Sequence, residues 1–288
     1  MEMEELDVLQ RKHLTKSGDL GRENNSLLGR LERKINTSLD EFAKKEKSAF
    51  EQKHFLADEF FVKLSTRSPK DATGVTLKTH GHLTRLQRIY EIADKLKVRN
   101  GHQAVELLSS SYRVFSDIAN FKKFQVAFVH PLNIIIRQYF KYFNPVMEFR
   151  CFVFQRQLNA ISQYLCYDNF DHLQVYFTLY VYICLHIGHI DIKTITRTRE
   201  LIISFYTIVK EKLPYVNYVM DVFVDLENEH VFIVEINPFG AHSSSGSALF
   251  EWKKDFDILY HRQSDQNKSS NYFPVVRIAK MKQKSDPS

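Results

Sequence analysis

The stretch Val231-Phe232-Ile233-Val234-Glu235-Ile236-Asn237-Pro238-Phe239-Gly240 combines an apolar run with two oxygen-bearing side chains. Such a run predicts a buried strand, and Pro-Phe-Gly predicts its end. Side chains on a strand alternate between faces, which places Ile233, Glu235 and Asn237 on the face opposite Phe232, Val234 and Ile236. Carboxylate and carboxamide oxygens are ligands that Mg²⁺ accepts in proteins. The stretch therefore predicts a strand that presents two metal ligands.

A second apolar run, Tyr218 to Val224, precedes this stretch and contains one acid, Asp221. The polar segment Asp225 to His230 between the runs is typical of a hairpin loop. A hairpin centred on Asn228 places Asp221 opposite Glu235, where two acids repel unless a cation or a proton lies between them. The hypothesis is a three-ligand metal site made of Asp221, Glu235 and Asn237. The alternative is a pair of edge-strand acids that face water.

Three cations lie in apolar surroundings elsewhere in the chain. Lys63 follows Phe60-Phe61-Val62, Arg137 follows Ile134-Ile135-Ile136, and Arg150 lies within Glu148-Phe149-Arg150-Cys151-Phe152. Burying a cation is costly unless it meets an anion. A triphosphate carrying Mg²⁺ would satisfy all three cations. The alternative for each one is a side chain at a strand edge that reaches solvent.

The composition is that of an ordinary globular protein. Of 288 residues, 44% are apolar and 26% are charged, which is enough for a sizeable core in one large domain or two lobes. The net charge of +6 comes from dispersed basic residues, so we expect no direct contact with nucleic acid. Three cysteines without metal-ligand spacing indicate reduced thiols. We therefore expect a cytoplasmic monomer.

No segment has the pattern of a targeting or membrane-spanning sequence. The first residues, Met1 to Glu5, are acidic and no apolar stretch follows them, so we expect no signal peptide. The apolar run Val175 to Ile187 is too short to span a bilayer and predicts a buried helix or strand.

Hairpins, rather than regular strand–helix alternation, dominate the pattern of predicted elements, which indicates an α+β fold with antiparallel sheet. Residues 1–54 read as a charged helical segment with an apolar stripe at helical spacing. The stripe consists of Leu27, Leu28, Leu31, Ile35 and Leu39. It could pack on the body of the protein, which is the commoner outcome, or pair with a partner helix.

Several motifs together resemble the cell division cycle protein 123 family, a eukaryotic branch of the ATP-grasp fold. The resemblance spans roughly residues 58 to 260, with a weaker match at Phe61 to Leu64 and Ser68 to Ala72. The strongest matches, in chain order, are Glu148 to Val153, Leu158 to Gln163, Met220 to Phe223, Val234 to Gly240 and Leu249 to Trp252.

The resemblance implies an ATP-grasp-like fold whose two lobes carry antiparallel sheets and enclose a nucleotide cleft. Its two lobes would be an N-terminal lobe 55–136 and a C-terminal lobe 137–262 with the Mg-ATP site. The residue patterns add the charged helical segment 1–54 before them and a flexible basic tail 263–288 after them. Lys63 would contact phosphate, and Arg137 and Arg150 would line the nucleotide site. The implied Mg²⁺ ligands are Asp221, Glu235 and Asn237.

The resemblance also implies a partner. Family members bind the gamma subunit of eukaryotic translation initiation factor 2 and promote assembly of that heterotrimer, without an established ligase reaction. We therefore expect an ATP-binding chaperone rather than an enzyme. The alternatives are a divergent paralogue that acts as a protein-binding module, and an ATP-dependent carboxylate ligase or phosphotransferase.

The chain departs from the family pattern at four places. At the first, the charged helical segment 1–54 stands where the family has an aromatic-rich start. Glu235 stands where the family usually has aspartate, and Tyr164 stands where it has arginine, which removes a cation near the nucleotide. After Gly240, the chain continues with Ala241 and His242 and then a Ser/Gly run from Ser243 to Ser247. The lost cation argues against phosphoryl transfer, and the Ser/Gly run favours the protein-binding module.

Overall fold

The computed structural model describes residues 1–15, 20–45, 48–73, 85–124, 131–165, 192–243, 245–260 and 273–278. The chain divides into two compact units, Met1–Tyr142 and Phe143–Ser288, each of which is described by itself. The predicted border between residues 136 and 137 falls inside a strand, because Ile134–Phe140 pairs along its length with an earlier strand of unit 1. The segment 1–54 belongs to unit 1.

Unit 1 places helices on a small antiparallel sheet whose strand order is β2-β1-β3. Unit 1 also contains a short 3₁₀ turn at Lys70–Thr73, and unit 2 contains one at Pro145–Met147. The described elements of unit 1 are α1 (Met3–Thr15), α2 (Arg22–Lys44), α3 (Ala49–His54), β1 (Phe55–Leu64), α4 (Arg85–Lys95), β2 (Lys97–Val98), α5 (Gly101–Ser110), α6 (Tyr112–Lys123) and β3 (Ile134–Phe140).

The apolar stripe of α2 lies in the core of unit 1. Its residues Leu28, Leu31, Ile35 and Leu39 are all buried. They share one hydrophobic cluster with apolar side chains of α1, α5, α6 and β1. The spacing of three and four residues puts these side chains on one side of the helix, and burial of that side drives the packing. The prediction that the stripe packs on the body is confirmed.

Unit 2 contains a five-stranded sheet whose strand order is β7-β6-β4-β5-β8. Its described elements are β4 (Glu148–Phe154), β5 (Gln157–Gln163), α7 (Ile192–Val209), β6 (Tyr218–Asp225), β7 (His230–Pro238), α8 (Phe256–Leu259) and β8 (Val275–Arg277). Strands β4 and β5 form a hairpin, whose turn residues Gln155 and Arg156 have φ angles of 51° and 57°. Positive φ at both central positions matches the twist of the strands.

The two faces of this sheet are covered differently. Helix α7 packs against β5, β6 and β7, and its Tyr206 interacts with Tyr218. On the other face, Phe152, Ala160 and Val219 form a cluster with Phe250 and Leu259. Strand alternation puts Asp221 on this second face, because it is two residues from Val219. The candidate site therefore lies on the face away from α7.

Strand β8 lies inside the segment 263–288, for which a flexible tail was predicted. Its residues pair in parallel with β5, and Ser162 is the register partner of Arg277. The prediction of a flexible tail is wrong for Val275–Arg277, because these residues form a strand along one edge of β5. Local residue patterns did not show this pairing, since β5 lies far earlier in the chain. Residues 261–272 and 279–288 lie outside the described residues.

The fold class is confirmed as α+β, with antiparallel sheets and an N-terminal helical segment. Cys151 is a buried free thiol, whereas Cys166 and Cys184 lie outside the described residues. Within the described part of the chain, no helix has both the length and the apolar character needed to cross a membrane. The run Val175 to Ile187 also lies outside the described residues.

Helix α5 approaches α2 closely at Gly101. The Gly101 amide donates to Asn36 Oδ1 at 2.6 Å, and a Cβ atom at Gly101 would lie 2.2 Å from the carbonyl oxygen of Glu32. The obstacle is backbone, which cannot rotate away as a side chain does. We expect Gly101→Ala to lower the free energy of unfolding by about 1–3 kcal/mol or more, measured by denaturant titration.

Gly29→Ala is the matched control, because Gly29 lies within α2 and its nearest obstacle is the mobile end of the Arg33 side chain at 3.5 Å. We expect this change to stabilise unit 1 by about 0.5–1 kcal/mol, since alanine costs less backbone entropy in a helix. Equal effects of the two substitutions would contradict the close approach at Gly101.

Candidate metal site

Three neighbouring strands bring the unit 2 residues of the predicted site to one face. In the register, Asp221 lies opposite Glu235 on β7 and opposite Arg150 on β4. Asn237 lies opposite Val219, two residues from Asp221. Paired residues on adjacent strands point to the same face, so the four polar side chains share it. The predicted pairing of Asp221 with Glu235 is confirmed.

A β-bulge in β7 produces this pairing. From Asp225 opposite His230, the register runs to Val222 opposite Ile233, and it then shifts so that Asp221 meets Glu235. Val234 is the extra residue. Without the bulge, the hairpin would place Val234 opposite Asp221 and turn Glu235 to the other face.

The bulge also corrects the predicted faces of β7. Phe232 lies opposite Phe223, and the two rings stack with centroids 6.2 Å apart. Phe232 therefore shares a face with Glu235 and Asn237, whereas Ile233 points to the other face. Strand β7 is half-buried rather than buried, because it is outermost in the described sheet and β6 is its only described neighbour there.

Arg150 and Asp221 form a buried, two-point ion pair. Arg150 Nε donates to Asp221 Oδ1 and Nη2 donates to Oδ2, each at 2.8 Å. The exposed fractions are 7% for Arg150 and 1% for Asp221. Burial alone lowers the pKa of Arg150, but the hydrogen bonds and charge of Asp221 outweigh it and raise the pKa above the ordinary arginine value. The guanidinium is therefore always charged.

Further contacts fix Arg150 in this position. Its Nη1 donates to the carbonyl oxygen of Gly246 at 2.6 Å, and its Cζ lies 4.9 Å from the centroid of the Tyr164 ring. The Asn237 carboxamide donates to Asp221 Oδ2 at 3.3 Å. Arg150 thus connects the candidate metal ligand Asp221 to the loop that follows β7, and an aromatic ring lies against its guanidinium.

The loop after β7 is tied to the sheet at several points. Ser245 Oγ donates to the carbonyl oxygen of Pro238 at 2.8 Å, and the Leu249 amide donates to Ser162 Oγ at 3.0 Å. Trp252 Nε1 donates to the carbonyl oxygen of Ser245 at 3.4 Å. The Ser/Gly run is therefore held against the sheet near Arg150 at its described positions.

Lys63 and Arg137 belong to unit 1, where they lie on one face of β1 and β3. Arg137 is the register partner of Phe61, and Lys63 is the partner of Ile135. Strand alternation puts both cations on the face opposite Val62, which lies in the core. The Arg137 guanidinium lies 4.7 Å from the Phe61 ring and 5.2 Å from the Phe140 ring. These rings stabilise its charge within the unit.

Comparison with known proteins identifies the family. The model of the family described as D123 matches residues 22–287. The chain belongs to the D123 family. Relatives named CDC123-like protein and cell division cycle protein 123 are among its matches, and the resemblance to the cell division cycle protein 123 family is confirmed.

The similarity to individual D123 relatives is low. A CDC123-like protein from Acanthamoeba polyphaga mimivirus is 26% identical over 172 residues, which cover 58% of this chain and 46% of that protein. A translation initiation factor eIF2 assembly protein from Ajellomyces capsulatus is 26% identical over 140 residues, which cover 48% of this chain and 28% of that protein. The matches therefore span less than half the length of these curated relatives.

One solved structure is similar over most of the chain. Cdc123 from Schizosaccharomyces pombe is 19% identical, with 88% of this chain and 93% of that chain covered and a TM-score of 0.49.

The chemistry of the donor set fits Mg²⁺. Asp221, Glu235 and Asn237 supply carboxylate and carboxamide oxygens on neighbouring strands of one face. Among the described residues, no three His, Cys, Asp or Glu side chains cluster so as to hold a metal ion, and the predicted set contains only two acids. Arg150 already engages both oxygens of Asp221, so a metal ion would share or replace that contact.

The sequence did not predict that Arg150 and Asp221 pair with each other. It gave each a separate role, with Arg150 at the nucleotide and Asp221 at the metal. The available signal was charge complementarity, because each is a single charged residue within an apolar part of its strand. The contacts of Arg150 with Gly246 and Tyr164 had no local signal, since they join distant parts of the chain.

A second ion pair, between Arg277 and Asp255, contacts the chain after this loop. Arg277 of β8 donates to both carboxylate oxygens of Asp255, at 2.7 and 2.6 Å, and to the carbonyl oxygen of Leu249 at 3.0 Å. The hydrogen bonds from Arg277 lower the pKa of Asp255 below the ordinary aspartate value. A lowered pKa stabilises the fold above the unfolded pKa, and the contribution is lost as the pH falls through the folded pKa.

We therefore expect Asp255→Asn to destabilise unit 2 by about 1–2 kcal/mol at pH 7, because a two-point arginine–carboxylate pair is stronger than an ordinary surface pair. The difference from the unsubstituted protein should shrink below about pH 4, where an ordinary aspartate becomes protonated. Thermal unfolding between pH 3 and 8 measures it. Asp257→Asn, at an exposed position in α8, is the control, and a loss at Asp255 that does not change with pH would contradict the pairing.

Proposed function

We propose that this chain binds ATP with Mg²⁺ and promotes assembly of eukaryotic translation initiation factor 2 through the gamma subunit of that factor. Two relatives that it matches, from Ajellomyces capsulatus and Emericella nidulans, are named as eIF2 assembly proteins. Membership of the D123 family supports the same role. The structural observation that carries the metal part is the shared face of Asp221, Glu235 and Asn237.

In this proposal, Asp221, Glu235 and Asn237 hold the Mg²⁺ ion. When bound, the ion would neutralise charge on the triphosphate oxygens. Arg150 lies beside the proposed metal ligands and pairs with Asp221, so its charge holds that carboxylate in place. Lys63 and Arg137 are the candidate nucleotide-binding cations of unit 1.

We propose binding without phosphoryl transfer. Transfer requires several positive groups around the charge that develops on the moving phosphoryl group. Tyr164 supplies a neutral ring where the family pattern has a cation, and its ring lies against Arg150. The ATP-grasp-like site is thus proposed to hold the nucleotide as a structural ligand of a chaperone.

The nucleotide proposal predicts a stabilisation that depends on both components. ATP at 100-fold excess over its Kd should raise Tm by about 5–10 °C when Mg²⁺ is present, because a ligand that binds only the folded state stabilises it. ATP without Mg²⁺ should raise it much less. Thermal unfolding with ATP, with Mg²⁺ and with both measures this difference.

Glu235→Ala should remove the Mg-dependent shift, since it deletes one proposed ligand. Glu227→Ala is the matched control, because Glu227 is an exposed glutamate in the turn between the same two strands. A Mg-dependent shift that persists in Glu235→Ala would contradict the assignment of this residue as a metal ligand.

The partner proposal predicts selective capture of one subunit. Immobilised protein should retain the purified gamma subunit of eukaryotic initiation factor 2, while the isolated alpha and beta subunits should pass through. Equal retention of all three subunits, or of none, would contradict it. A pull-down followed by quantitative mass spectrometry measures the ratio.

A second candidate function is a protein-binding module that does not need nucleotide. The observation that favours it is the Arg150–Asp221 pair, which engages a proposed metal ligand with a side chain of the protein itself. Under this function, capture of the gamma subunit should be equally strong with EDTA and with Mg-ATP. Under the first, Mg-ATP should strengthen capture.

A further inference from the structure

The face that carries the candidate site contains the cation Arg150 and three acids: Asp221 and Glu235, which lie in register, and the buried Glu148, two residues from Arg150 on β4. Asp221 lies opposite Glu235 on one side and opposite Arg150 on the other. Like charges directly opposite each other destabilise a sheet. The Arg150 guanidinium acts on Asp221 through two hydrogen bonds and through its charge. Only 1% of Asp221 is exposed to solvent. Arg150 therefore offsets part of the negative charge on this face.

We propose that Arg150 is a resident counter-cation, which occupies the Asp221 carboxylate and must loosen its hold when a divalent cation binds there. This inference rests on the proposed metal role of Asp221. It assigns Arg150 a role distinct from contact with nucleotide: a positioning residue that keeps the site folded without metal and lowers its affinity for metal alone.

The argument is competition for the same oxygens. Arg150 donates to both Oδ1 and Oδ2 of Asp221, the atoms through which a carboxylate binds Mg²⁺. Two positive groups on one buried carboxylate also repel each other strongly, because little water screens them. Each cation therefore weakens the binding of the other. This coupling is reciprocal by thermodynamic linkage.

The competition reaches the loop after β7 through the third donor of Arg150. Nη1 holds the carbonyl oxygen of Gly246, and the neighbouring carbonyl of Ser245 accepts from Trp252 Nε1. Trp252 is the single tryptophan of the chain. A shift of Arg150 away from Asp221 should therefore change the environment of Trp252. Its fluorescence gives a readout that does not depend on any catalytic activity.

The direct test uses Mg²⁺ alone as the probe, titrated by calorimetry and by Trp252 fluorescence at constant ionic strength. We expect Arg150→Gln to bind Mg²⁺ at least about tenfold more tightly than the unsubstituted protein, within the range typical of coupled sites. Its Tm should be lower without Mg²⁺ and should rise more when Mg²⁺ is added. The double variant Arg150→Gln with Asp221→Asn should bind no Mg²⁺.

Two further variants make the test independent of folding and of net charge. Arg150→Lys keeps the positive charge but cannot form the two-point contact, so its Mg²⁺ affinity should lie between the other two. Arg197→Gln removes an equal charge from an exposed pair with Glu229 and should leave Mg²⁺ affinity unchanged. If Arg150→Gln does not fold even with Mg²⁺, the Arg150→Lys affinity decides the outcome.

Mg²⁺ affinities of Arg150→Gln and Arg150→Lys that are no higher than that of the unsubstituted protein would overturn the inference. The outcome is separable from that of the proposed function. Failure of the unsubstituted protein to bind Mg-ATP would overturn the nucleotide proposal, while tight binding of Mg²⁺ by Arg150→Gln would still support Arg150 as the resident cation. Mg-ATP binding without any gain in the Arg150 variants would overturn this inference alone.

Discussion

The buried ion pair between Arg150 and Asp221 is the interaction on which the rest of the candidate site depends. It joins β4 to β6, two neighbouring strands of the unit 2 sheet, and both side chains are almost completely removed from water. Removing either partner of such a pair leaves a buried charge without compensation, which typically costs about 3–5 kcal/mol. The same pair connects the proposed metal ligand to the loop at Gly246. One contact therefore links the stability of the sheet to the proposed metal site.

A single extra residue in β7 brings the side chains of the candidate site to one face. The bulge at Val234 turns Glu235 and Asn237 to the face of Asp221, while the part of the strand nearer the hairpin keeps the register set by the turn. Bulges are common at sheet edges and beside active sites, where they redirect side chains. In this chain the bulge assembles acids that would otherwise point to opposite faces. Strand β7 is outermost in the described sheet, so among the described strands the bulge disturbs only the pairing of β7 with β6.

Local periodicity explains which parts of the fold were predictable. The stripe of α2, the β4–β5 hairpin and the runs that became β6 and β7 all show their pattern within a few residues, and each is present. Neither the border between the two units nor strand β8 had such a local pattern. Ile134–Phe140 belongs to unit 1 because it pairs with β1, and Val275–Arg277 is a strand because it pairs with β5. These pairings join residues far apart in the chain.

The sequence by itself determined which residues are candidates for a functional site, because single charged or amide side chains within apolar strands are costly unless they meet a partner. Arg150, Asp221, Glu235 and Asn237 stand out on that ground. Only the tertiary structure decided which partner each one meets. Arg150 meets Asp221 rather than an external anion because the register between β4 and β6 places them opposite each other. That register depends on contacts between strands that are far apart in the chain, and local residue patterns do not predict such contacts.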